Sequence, residues 1–464
     1  MPRHSPMVDS QGRPTVPYQR LLDELSRRVG STETSLDSII TIPTPEDYGA
    51  VGDGVANDTV ALQAFFNNAA KFGRLTENAT YLIDADSVTI PGGTSWWGPK
   101  SATIRNADVD GVTLELPSDD VELSGFSVNG GNASSTVASG YAANHFGIAV
   151  TGTSGDFVTN VRLIDLTVRN CGESGIELFH AYQARIEGCE VSRCGYIGII
   201  IANSRYVWCH GNNNSNIYPG DIPGNVGSNC YGITATRYTA SSVYPYAIWI
   251  DGNAVDSVTW EGIDEHDGQD IWITNNFITN CGQGIAVQHD EIGYAAKRIT
   301  VTGNHIVGYG TRVIEGVTYR PTGGIICVGG QPTDVDANGQ GQSLTVANNI
   351  VRDIGDNRSS PGQSGGIMIR HWRDFKITGN SLFACYRHGI VSDDSTTSRS
   401  EFGVIANNVI DGVQTVGGVA RDIYVAGFCA ALITGNFAAG NGDGINQAGS
   451  PTLTSSITGN YVYS

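Results

Sequence analysis

The dipeptide Gly-Ile recurs ten times along this chain of 464 residues. The dipeptides begin at Gly147, Gly175, Gly198, Gly232, Gly262, Gly284, Gly324, Gly366, Gly389 and Gly444. The shortest steps between them are 22 and 23 residues, and the longer steps are one such period plus an insertion. A fixed period of this size, with β-branched residues and no helical pattern, indicates a solenoid of stacked strands. Equivalent positions in successive coils then form columns, and each residue can be judged by its column.

The composition favours an all-β chain with an acidic surface. Gly accounts for 60 residues, and only 16% of the residues are charged. The formal net charge of −19 disfavours nucleic acid and anionic membranes as partners, although a local groove of Arg and His can still bind an anionic polysaccharide. The start of the chain leads into polar sequence and predicts no signal peptide, and no apolar run approaches the length that spans a membrane.

The cysteines follow the repeat. Cys171, Cys194 and Cys385 each lie four residues before a Gly-Ile dipeptide, and Cys281 lies three before. A repeat column of small buried residues predicts free thiols made in a reducing compartment. A disulfide framework is the weaker alternative, because the total of nine cysteines is odd.

Residues 1–45 differ in pattern from the rest of the chain. Their apolar positions alternate steps of three and four residues, at Leu22, Leu25, Val29, Thr32, Leu36 and Ile39. This seam is typical of a short coiled coil, and so short a seam is stable only where something larger already holds the chains together. The alternative is a single amphipathic helix that lies on the end of the solenoid.

Residues 46–71 combine a Gly- and Asp-rich turn segment with a short helix. The run from Glu46 to Thr59 reads EDYGAVGDGVANDT, and Asn57 or Asp58 can cap a helix with an apolar face of Leu62, Phe65 and Phe66. This pattern resembles the N-terminal signature of the pectate-lyase-like β-helix superfamily. The resemblance implies a right-handed parallel β-helix, with a capping helix and first strands in residues 46–102 and the coils in residues 103–464.

A second column of equivalent residues supports the phase of the repeat. It contains Asn276, Asn304, Asn349, Asn380, Asn408, Asn436 and Asn460, each directly after a strand. Stacked Asn amides can hydrogen-bond from coil to coil, so we interpret these residues as structural.

Insertions interrupt the period in the segments 203–231, 237–247, 290–297, 308–323, 329–342 and 354–365. In a solenoid, such insertions leave as loops on the lateral faces, where binding sites lie. These loops are rich in Tyr, which stacks on sugars and donates a hydrogen bond. A carbohydrate groove is therefore plausible, although Tyr is also an ordinary residue of β-surfaces.

Alternation along the strands predicts which side chains face the groove. The first and third residues after each Gly are apolar and are predicted to point inward, so the second and fourth point outward. The outward positions and the residue that follows them collect polar side chains: Glu177, His180, Arg237, Asp264, His266, Asp267, Gln288, His289, Arg370, His371, Asp393 and Asp394. Glu265 falls on the inward parity, and Glu261 is ambiguous.

These polar groups concentrate around the coil of Gly262. Asp264 and His266 are predicted to project side by side from one strand, with Tyr231 and Arg237 in the coil before. Gln288 and His289 belong to the coil after, and adjacent coils are about 4.8 Å apart. A carboxylate, an imidazole, a guanidinium and a phenol therefore converge on one surface.

Chemistry on an acidic sugar needs such a set. A cation or a protonated acid neutralises the uronate carboxylate, a base removes the C5 proton, and a second acid protonates the leaving oxygen or the opposite face. We predict catalytic roles for Asp264, His266, Tyr231 and Arg237. Substrate-binding roles are predicted for His289, Gln288, Arg370, Glu261, Asp267, His180 and Asp393. A purely structural pairing of Asp264 with His266 is the alternative.

The segment Gly-Ile-Asp-x-His at Gly262 resembles the Tyr-Gly-Phe-Asp-Pro-His segment of mannuronan C5-epimerases. By that resemblance, Asp264 handles the substrate carboxylate and His266 acts as an acid or base. The catalytic Tyr of that family aligns with Glu261, and Tyr231 in the preceding coil is a substitute in space.

Two other interpretations of the same residues remain open. Asp264, His266, Asp267 and Asp270 provide oxygen and nitrogen ligands for Ca²⁺, although they fall on both strand parities and we predict no cofactor. Paired carboxylates for glycoside hydrolysis are available among Glu177, Glu261, Asp264, Asp393 and Asp394.

Taken whole, the chain resembles a bacteriophage tailspike. That resemblance implies a virion-attachment segment in residues 1–45, a parallel homotrimer, and a groove that binds and degrades a polysaccharide of the host surface outside the cell. We predict β-elimination from an acidic polysaccharide such as alginate or capsule. The alternatives are a C5-epimerase, a glycoside hydrolase and a tail fibre or adhesin that binds glycan without changing it.

Overall fold

The computed structural model describes residues 42–84, 87–107, 111–131, 145–218, 230–238, 243–289, 295–309, 312–314, 317–319, 321–330, 340–355, 365–392, 394, 399–414, 420–425, 429–439, 444–447 and 455–463. Within these ranges the chain is a right-handed parallel β-helix, and the predicted fold class is confirmed. Each coil passes through three parallel sheets in turn. The predicted segment 1–45 lies almost entirely outside the described residues.

Strands are numbered in chain order. The first sheet contains β1 (Asp53–Asn57), β3 (Thr80–Ile83), β6 (Thr103–Asn106), β9 (Ser127–Asn129), β13 (Thr167–Cys171), β17 (Glu190–Cys194), β20 (Asn213–Ile217), β23 (Ala254–Val258), β26 (Phe277–Thr279), β29 (His305–Val307), β34 (Ile350–Arg352), β37 (Ser381–Phe383), β40 (Val409–Asp411), β43 (Phe437–Ala439) and β46 (Tyr461–Tyr463).

The second sheet contains β4 (Val88–Thr89), β7 (Leu114–Leu116), β10 (Ile148–Thr151), β14 (Ser174–Phe179), β18 (Ile197–Ala202), β21 (Tyr231–Thr236), β24 (Glu261–His266), β27 (Gln283–Gln288), β32 (Gly323–Val328), β35 (Gly365–Arg370), β38 (His388–Ser392), β41 (Arg421–Val425) and β44 (Ile445–Gln447). This sheet carries the Gly-Ile dipeptides.

The third sheet contains β2 (Phe72–Arg74), β5 (Thr94–Trp97), β8 (Val121–Ser124), β12 (Arg162–Ile164), β16 (Arg185–Glu187), β19 (Arg205–His210), β22 (Tyr246–Asp251), β25 (Gln269–Thr274), β28 (Lys297–Thr302), β33 (Gly341–Ala347), β36 (Trp372–Thr378), β39 (Ser400–Ala406), β42 (Cys429–Thr434) and β45 (Ser456–Thr458). Short strands β11 (Val158–Thr159) and β15 (Ala181–Tyr182) pair beside it, and β30 (Arg312–Ile314) with β31 (Val317–Tyr319) forms a separate antiparallel pair.

The Gly of every Gly-Ile dipeptide from Gly147 to Gly389 is fixed by a close approach inside the solenoid. A Cβ atom on Gly262 would lie 2.7 Å from Cγ2 of Ile278 and 2.8 Å from the carbonyl oxygen of Gly284. Ile263, the next residue, is fully buried. Gly262 and Ile263 therefore both face the core, and strict alternation is broken at this point in the strand. The recurrence of Gly-Ile in the sequence follows from this contact.

A ladder of Asn side chains, buried except at its last member Asn460, joins the coils at the turn from the third sheet to the first. The predicted column is present, and it also includes Asn212 and Asn253. Within the ladder, the backbone N–H of Asn349 and its Nδ2 donate to Oδ1 of Asn380, at 3.0 and 2.9 Å. Nδ2 of Asn349 also donates to the carbonyl of Val301, at 3.0 Å. Each amide thereby satisfies the backbone of its neighbouring coils.

The N-terminal helix forms where the sequence predicts it. Helix α1 spans Thr59–Phe66 and buries Leu62, Phe65 and Phe66 against the first coils. Asp58 occupies the N-cap position, but its side chain makes no capping bond. Its carboxylate instead accepts hydrogen bonds from the backbone N–H groups of Val51 and Gly52, at 2.7 and 3.1 Å. The Gly- and Asp-rich segment is thereby fastened to the helix.

All nine cysteines are buried and free, which confirms the prediction of free thiols. Cys171, Cys194, Cys281 and Cys385 lie beneath the Gly residues of the second sheet, where a Cβ atom would meet their sulfur atoms. Within the described ranges, no helix is long and apolar enough to cross a membrane.

We expect Asn349→Ala to lower the free energy of unfolding by about 3 kcal/mol, because it leaves the backbone N–H of Asn304 and the carbonyl of Val301 buried without their partners. Guanidinium unfolding monitored by circular dichroism measures the change. Thr345→Ala, a partly exposed position on the outer face of β33, is the control. Equal losses in the two variants would contradict a stabilising role for the ladder.

Candidate functional site

The outer face of β24 carries a compact polar cluster. Glu261, Asp264 and His266 each contribute an atom that lies within 4.8 Å of the others. His266 Nε2 is 3.0 Å from Asp264 Oδ1, so the predicted side-by-side projection of these two residues is present. Because Gly262 turns inward, Glu261 also reaches the outer face, and these three side chains form what we call the β24 cluster.

Neighbouring strands hold both carboxyl groups in place. In β21, Thr234 stands opposite Asp264, and its Oγ1 donates to Asp264 Oδ2 at 2.7 Å. In β27, Gln288 stands opposite His266, and its Nε2 donates to Glu261 Oε1 at 2.5 Å. The register therefore fixes the carboxyl groups before any ligand binds.

The electrostatics of the cluster keep one of its carboxyl groups neutral. Glu261 is fully buried, and Asp264 is 1% exposed. Burial, reinforced by the neighbouring Asp264 carboxylate, raises the pKa of Glu261 well above its usual range, while His266 lowers it. Two carboxyl groups this close cannot both ionise easily. Glu261 is therefore the member of the pair that holds its proton more tightly than an ordinary Glu.

Two tyrosines border the cluster on its N-terminal side. The ring of Tyr231 lies edge-on to His266, with centroids 6.5 Å apart, and the ring of Tyr196 lies edge-on to Tyr231 at 5.6 Å. Burial raises the pKa of Tyr196 to about 12, and the charges of Cys230 and Asp264 contribute. Tyr231 is thus in the predicted place, and Tyr196 is an addition that sequence reasoning missed.

The structure places Arg237 away from the cluster. Its guanidinium forms a buried ion pair with Asp267: Nη2 and Nε are 3.1 and 3.2 Å from Asp267 Oδ2, and both side chains are fully inaccessible. The prediction of groove-facing roles for Arg237 and Asp267 is wrong in this respect, because both residues follow the last outward position of their strands and turn into the corner of the coil. Their pairing links β21 to β24.

The remaining predicted residues are not members of the β24 cluster as the structure describes it. His180 is buried edge-on to the rings of Phe157 and Phe179, three strands N-terminal to β24, where its packing is that of a corner residue. His289 follows β27 and is half-buried, close in sequence to Gln288. Arg370 ends β35, three strands C-terminal to β24. Asp393 lies outside the described residues.

A second buried carboxyl group shares the column of Asp264. Glu177 in β14 accepts a hydrogen bond from the phenol of Tyr238, at 3.3 Å. Burial and the Glu173 carboxylate raise the pKa of Glu177 to about 7, while the Tyr238 hydrogen bond lowers it. Ile200 and Thr234 separate Glu177 from Asp264 in the column. At about 4.8 Å per strand, the two carboxyl groups are about 14 Å apart, too far for one catalytic pair.

Within the described part of the chain, the side chains of the β24 cluster are the group of acidic and His residues that lie close enough together to hold a metal ion. The Ca²⁺ site considered from sequence does not assemble, because Asp267 pairs with Arg237 and Asp270 pairs with Arg298, at 2.6 Å from its Nε. Two carboxyl groups and one imidazole leave room for waters or substrate oxygens around a divalent ion.

Glu265 lies on the other face of β24, in the core. It is fully buried, as its inward parity predicts, and its Oε1 accepts a hydrogen bond from the backbone N–H of Gly268. Burial raises the pKa of Glu265 well above its usual range, and the Gly268 hydrogen bond opposes this shift. Glu265 is therefore a neutral, structural acid.

Comparison with known proteins supports the fold. Residues 146–339 match a family model described as a right handed beta helix region. Depolymerase 1, capsule KN3-specific, of Klebsiella phage KN3-1 is 27% identical over 210 residues, which span 39% of this chain and 22% of that protein.

Two solved structures share the fold over most of the chain. The N-terminal fragment of bacteriophage phi29 gene product 12 is 15% identical with a TM-score of 0.59, and the match covers 95% of this chain and 73% of that one. The catalytic unit of the GH87 alpha-1,3-glucanase from Streptomyces thermodiastaticus is 13% identical with a TM-score of 0.58, covering 91% and 68%. At these identities the likeness shows the β-helix alone.

The buried acid in the core makes the stability of the chain depend on pH. Above pH about 4.5 the unfolded chain releases the Glu265 proton while the folded chain keeps it, so this residue lowers the free energy of unfolding by up to about 1.4 kcal/mol per pH unit. We expect Glu265→Gln to become progressively more stable than the wild type as the pH rises from 4.5 toward neutrality. Denaturant unfolding at several pH values measures the difference.

Glu401→Gln, at a partly exposed position of β39, is the matched control and is expected to leave the pH profile unchanged. A Glu265→Gln profile parallel to that of the wild type would contradict the assignment of a neutral core acid.

Proposed function

We propose that this chain is the β-helix of a phage tailspike depolymerase, which binds and cleaves a host surface polysaccharide at the β24 cluster. The observation that carries the proposal is the assembly of Glu261, Asp264 and His266 on the outer face of one strand. The phage depolymerase similarity supports it independently. The protein then acts outside the cell as part of a virion, with residues 1–45 as the attachment segment and a homotrimer as the assembly.

The cluster suits elimination from a uronate-containing chain. Protonated Glu261, held by Gln288, donates a hydrogen bond to the substrate carboxylate. Asp264 Oδ1 lies 3.0 Å from Nε2 of His266 and orients the imidazole, which acts as the base.

These side chains can carry out both proton transfers of the elimination. The imidazole of His266 takes the C5 proton, the C4–O4 bond breaks, and a C4–C5 double bond forms. The phenol of Tyr231, beside the His266 ring, returns a proton to the leaving oxygen. His289 and Arg370 are proposed to contact more distant sugars of the bound chain.

We expect Asp264→Asn and His266→Gln each to slow chain scission at least about 100-fold, because they remove the base or its orienting partner. The substrates are alginate and KN3-type Klebsiella capsular polysaccharide. Chain length is followed by size-exclusion chromatography, together with the ultraviolet absorbance of unsaturated sugar ends. His305→Gln, a half-buried His of the first sheet that packs against Phe277, is the matched control.

Each outcome identifies a different chemistry. Shorter chains with ultraviolet absorbance mean elimination, and shorter chains with new reducing ends but no absorbance mean hydrolysis. Unchanged chain length with both polysaccharides would contradict a depolymerase acting on them and leave C5-epimerisation, which proton NMR of the polymer detects, or binding without turnover.

Glycoside hydrolysis is the second candidate, because a neutral acid and a carboxylate stand within 4.8 Å on one face. Glu261 would then protonate the leaving oxygen while Asp264 acts as nucleophile, the arrangement of short carboxyl separation. Glu261→Gln distinguishes the two reactions. The amide still donates a hydrogen bond to a uronate, so part of the elimination activity persists, whereas hydrolysis that needs a transferable proton is lost.

A further inference from the structure

Three tryptophans form a ladder on the outer face of the third sheet. Trp208 in β19, Trp249 in β22 and Trp272 in β25 occupy one register position on three successive coils. Their ring centroids are 4.8 Å apart at each step, and the planes deviate by only 3° and 5°. All three side chains remain partly exposed.

The spacing shows that the rings overlap only in part. Aromatic planes in contact lie about 3.5 Å apart, so a centroid separation of 4.8 Å requires an offset of about 3.3 Å between successive rings. The indoles are therefore arranged as a staircase. Each step leaves a strip of ring face that its neighbour does not cover.

Polar groups run beside the ladder. Two residues further along the same strands lie His210, Asp251 and Thr274, which stand opposite one another. Asp251 Oδ2 is 3.0 Å from His210 Nδ1, and its Oδ1 accepts a hydrogen bond from Thr274 Oγ1 at 2.6 Å. The apolar staircase is thus bordered by hydrogen-bonding groups on the side of His210, Asp251 and Thr274.

A pocket lies at the N-terminal end of the ladder. Arg185, Glu187, Trp208 and His210 line it, and the Arg185 guanidinium lies 5.3 Å from the centre of the Trp208 ring. The pocket therefore offers an aromatic wall, a guanidinium, a carboxylate and an imidazole, the groups that bind a sugar ring and its hydroxyls.

The ladder adjoins the β24 cluster along the chain. Trp272 belongs to the same coil as His266, six residues later and around one corner of the solenoid. Trp249 and Trp208 lie in the two coils before. The corner between the two faces is fixed by the buried Arg237–Asp267 ion pair.

We propose that Trp208, Trp249, Trp272 and the adjoining pocket form a second glycan-binding surface, which holds the polysaccharide outside the catalytic cluster. This inference rests on the proposed function for the identity of the ligand. Sugar rings stack their C–H faces on the indole strips, and their hydroxyls bind Glu187, His210 and Asp251. The centre of an interface between protein copies is depleted of charged residues, whereas here the polar side chains of His210 and Asp251 lie two positions from Trp208 and Trp249.

The test compares Trp249→Ala and Trp272→Ala with Trp97→Ala, each made in the full chain. Trp97 is the matched control, because it is also a partly exposed Trp of the third sheet but lies in β5, away from the ladder. Binding is measured by affinity electrophoresis in gels containing alginate or KN3-type capsular polysaccharide, with Glu261→Gln added to slow digestion.

We expect Trp249→Ala and Trp272→Ala to weaken retention about tenfold, and Trp97→Ala to leave it unchanged. With an unaltered catalytic cluster, the ladder variants should raise KM for the long polymer at constant kcat and leave cleavage of short oligosaccharides intact. Trp249→Phe, which keeps a planar ring, should restore most of the retention and reports on the ladder even if the Ala variant unfolds.

The outcomes separate this inference from the proposed function. Weaker retention in the ladder variants without scission by any variant supports the glycan surface and contradicts the depolymerase. Scission with unchanged retention in the ladder variants overturns the glycan surface alone. If the ladder variants have a smaller mass in light scattering, the face is an interface between copies of the chain and the glycan surface is overturned as well. If the wild type is neither retarded by either polysaccharide nor able to shorten it, both the glycan surface and the depolymerase are overturned.

Discussion

The close approach of the Gly residues to the core determines what the second sheet presents to solvent. At Gly262 the core leaves no space for a Cβ atom, and both Gly262 and Ile263 face inward. Because two consecutive residues point the same way, the residue before the pair is moved to the outer face. Glu261 therefore joins Asp264 and His266, which an unbroken alternation would forbid. The packing constraint that sets the period of the solenoid also builds the three-residue cluster.

The same constraint explains the unusual protonation of the cluster. Parallel pairing on both sides of β24 removes water from Glu261 and holds it beside Asp264. A buried carboxyl next to a carboxylate keeps its proton, and the energetic cost of placing it there is offset by Gln288 and by the extended pairing of the coil. Groups with perturbed pKa values concentrate at functional sites. A perturbed pKa alone does not identify a functional residue. Glu265 is as buried as Glu261, but its side chain faces the core.

Much of the fold could be predicted from the sequence, because its signals repeat. The Gly-Ile period predicted the positions of the strands in the second sheet, and the Asn column predicted the turn into the first sheet. The apolar face of Leu62, Phe65 and Phe66 predicted the helix. These features depend on local contacts that recur in every coil. The coiled-coil prediction for residues 1–45 stays a prediction, since residues 1–41 lie outside the described part of the chain.

The site was less predictable, because its geometry depends on departures from the repeat. Asp264, His266 and Gln288 lie on the outer face that alternation predicted, and Tyr231 lies beside His266 from the coil before. Glu261 received only a binding role, because the inward turn at Gly262 is not visible in a pattern of apolar residues. Arg237 and Asp267 were assigned to the groove, since nothing in the sequence shows that the residue after the last outward position turns into the corner.

The ion pair between Arg237 and Asp267 at the corner of the coil fixes the position of the two outer faces relative to each other. Arg237 and Asp267 follow β21 and β24, and their guanidinium–carboxylate contact lies between the strands of the cluster and those of the tryptophan ladder. A buried pair of this kind is weak evidence for net stability, since desolvation opposes the attraction. Its geometric effect is clearer: it restricts the turn through Gly268 that separates His266 from Trp272. A polysaccharide that contacts both faces would then meet two surfaces whose spacing is set by six residues of one rigid coil. Binding at the ladder can therefore position the polysaccharide at the β24 cluster without any movement of the protein.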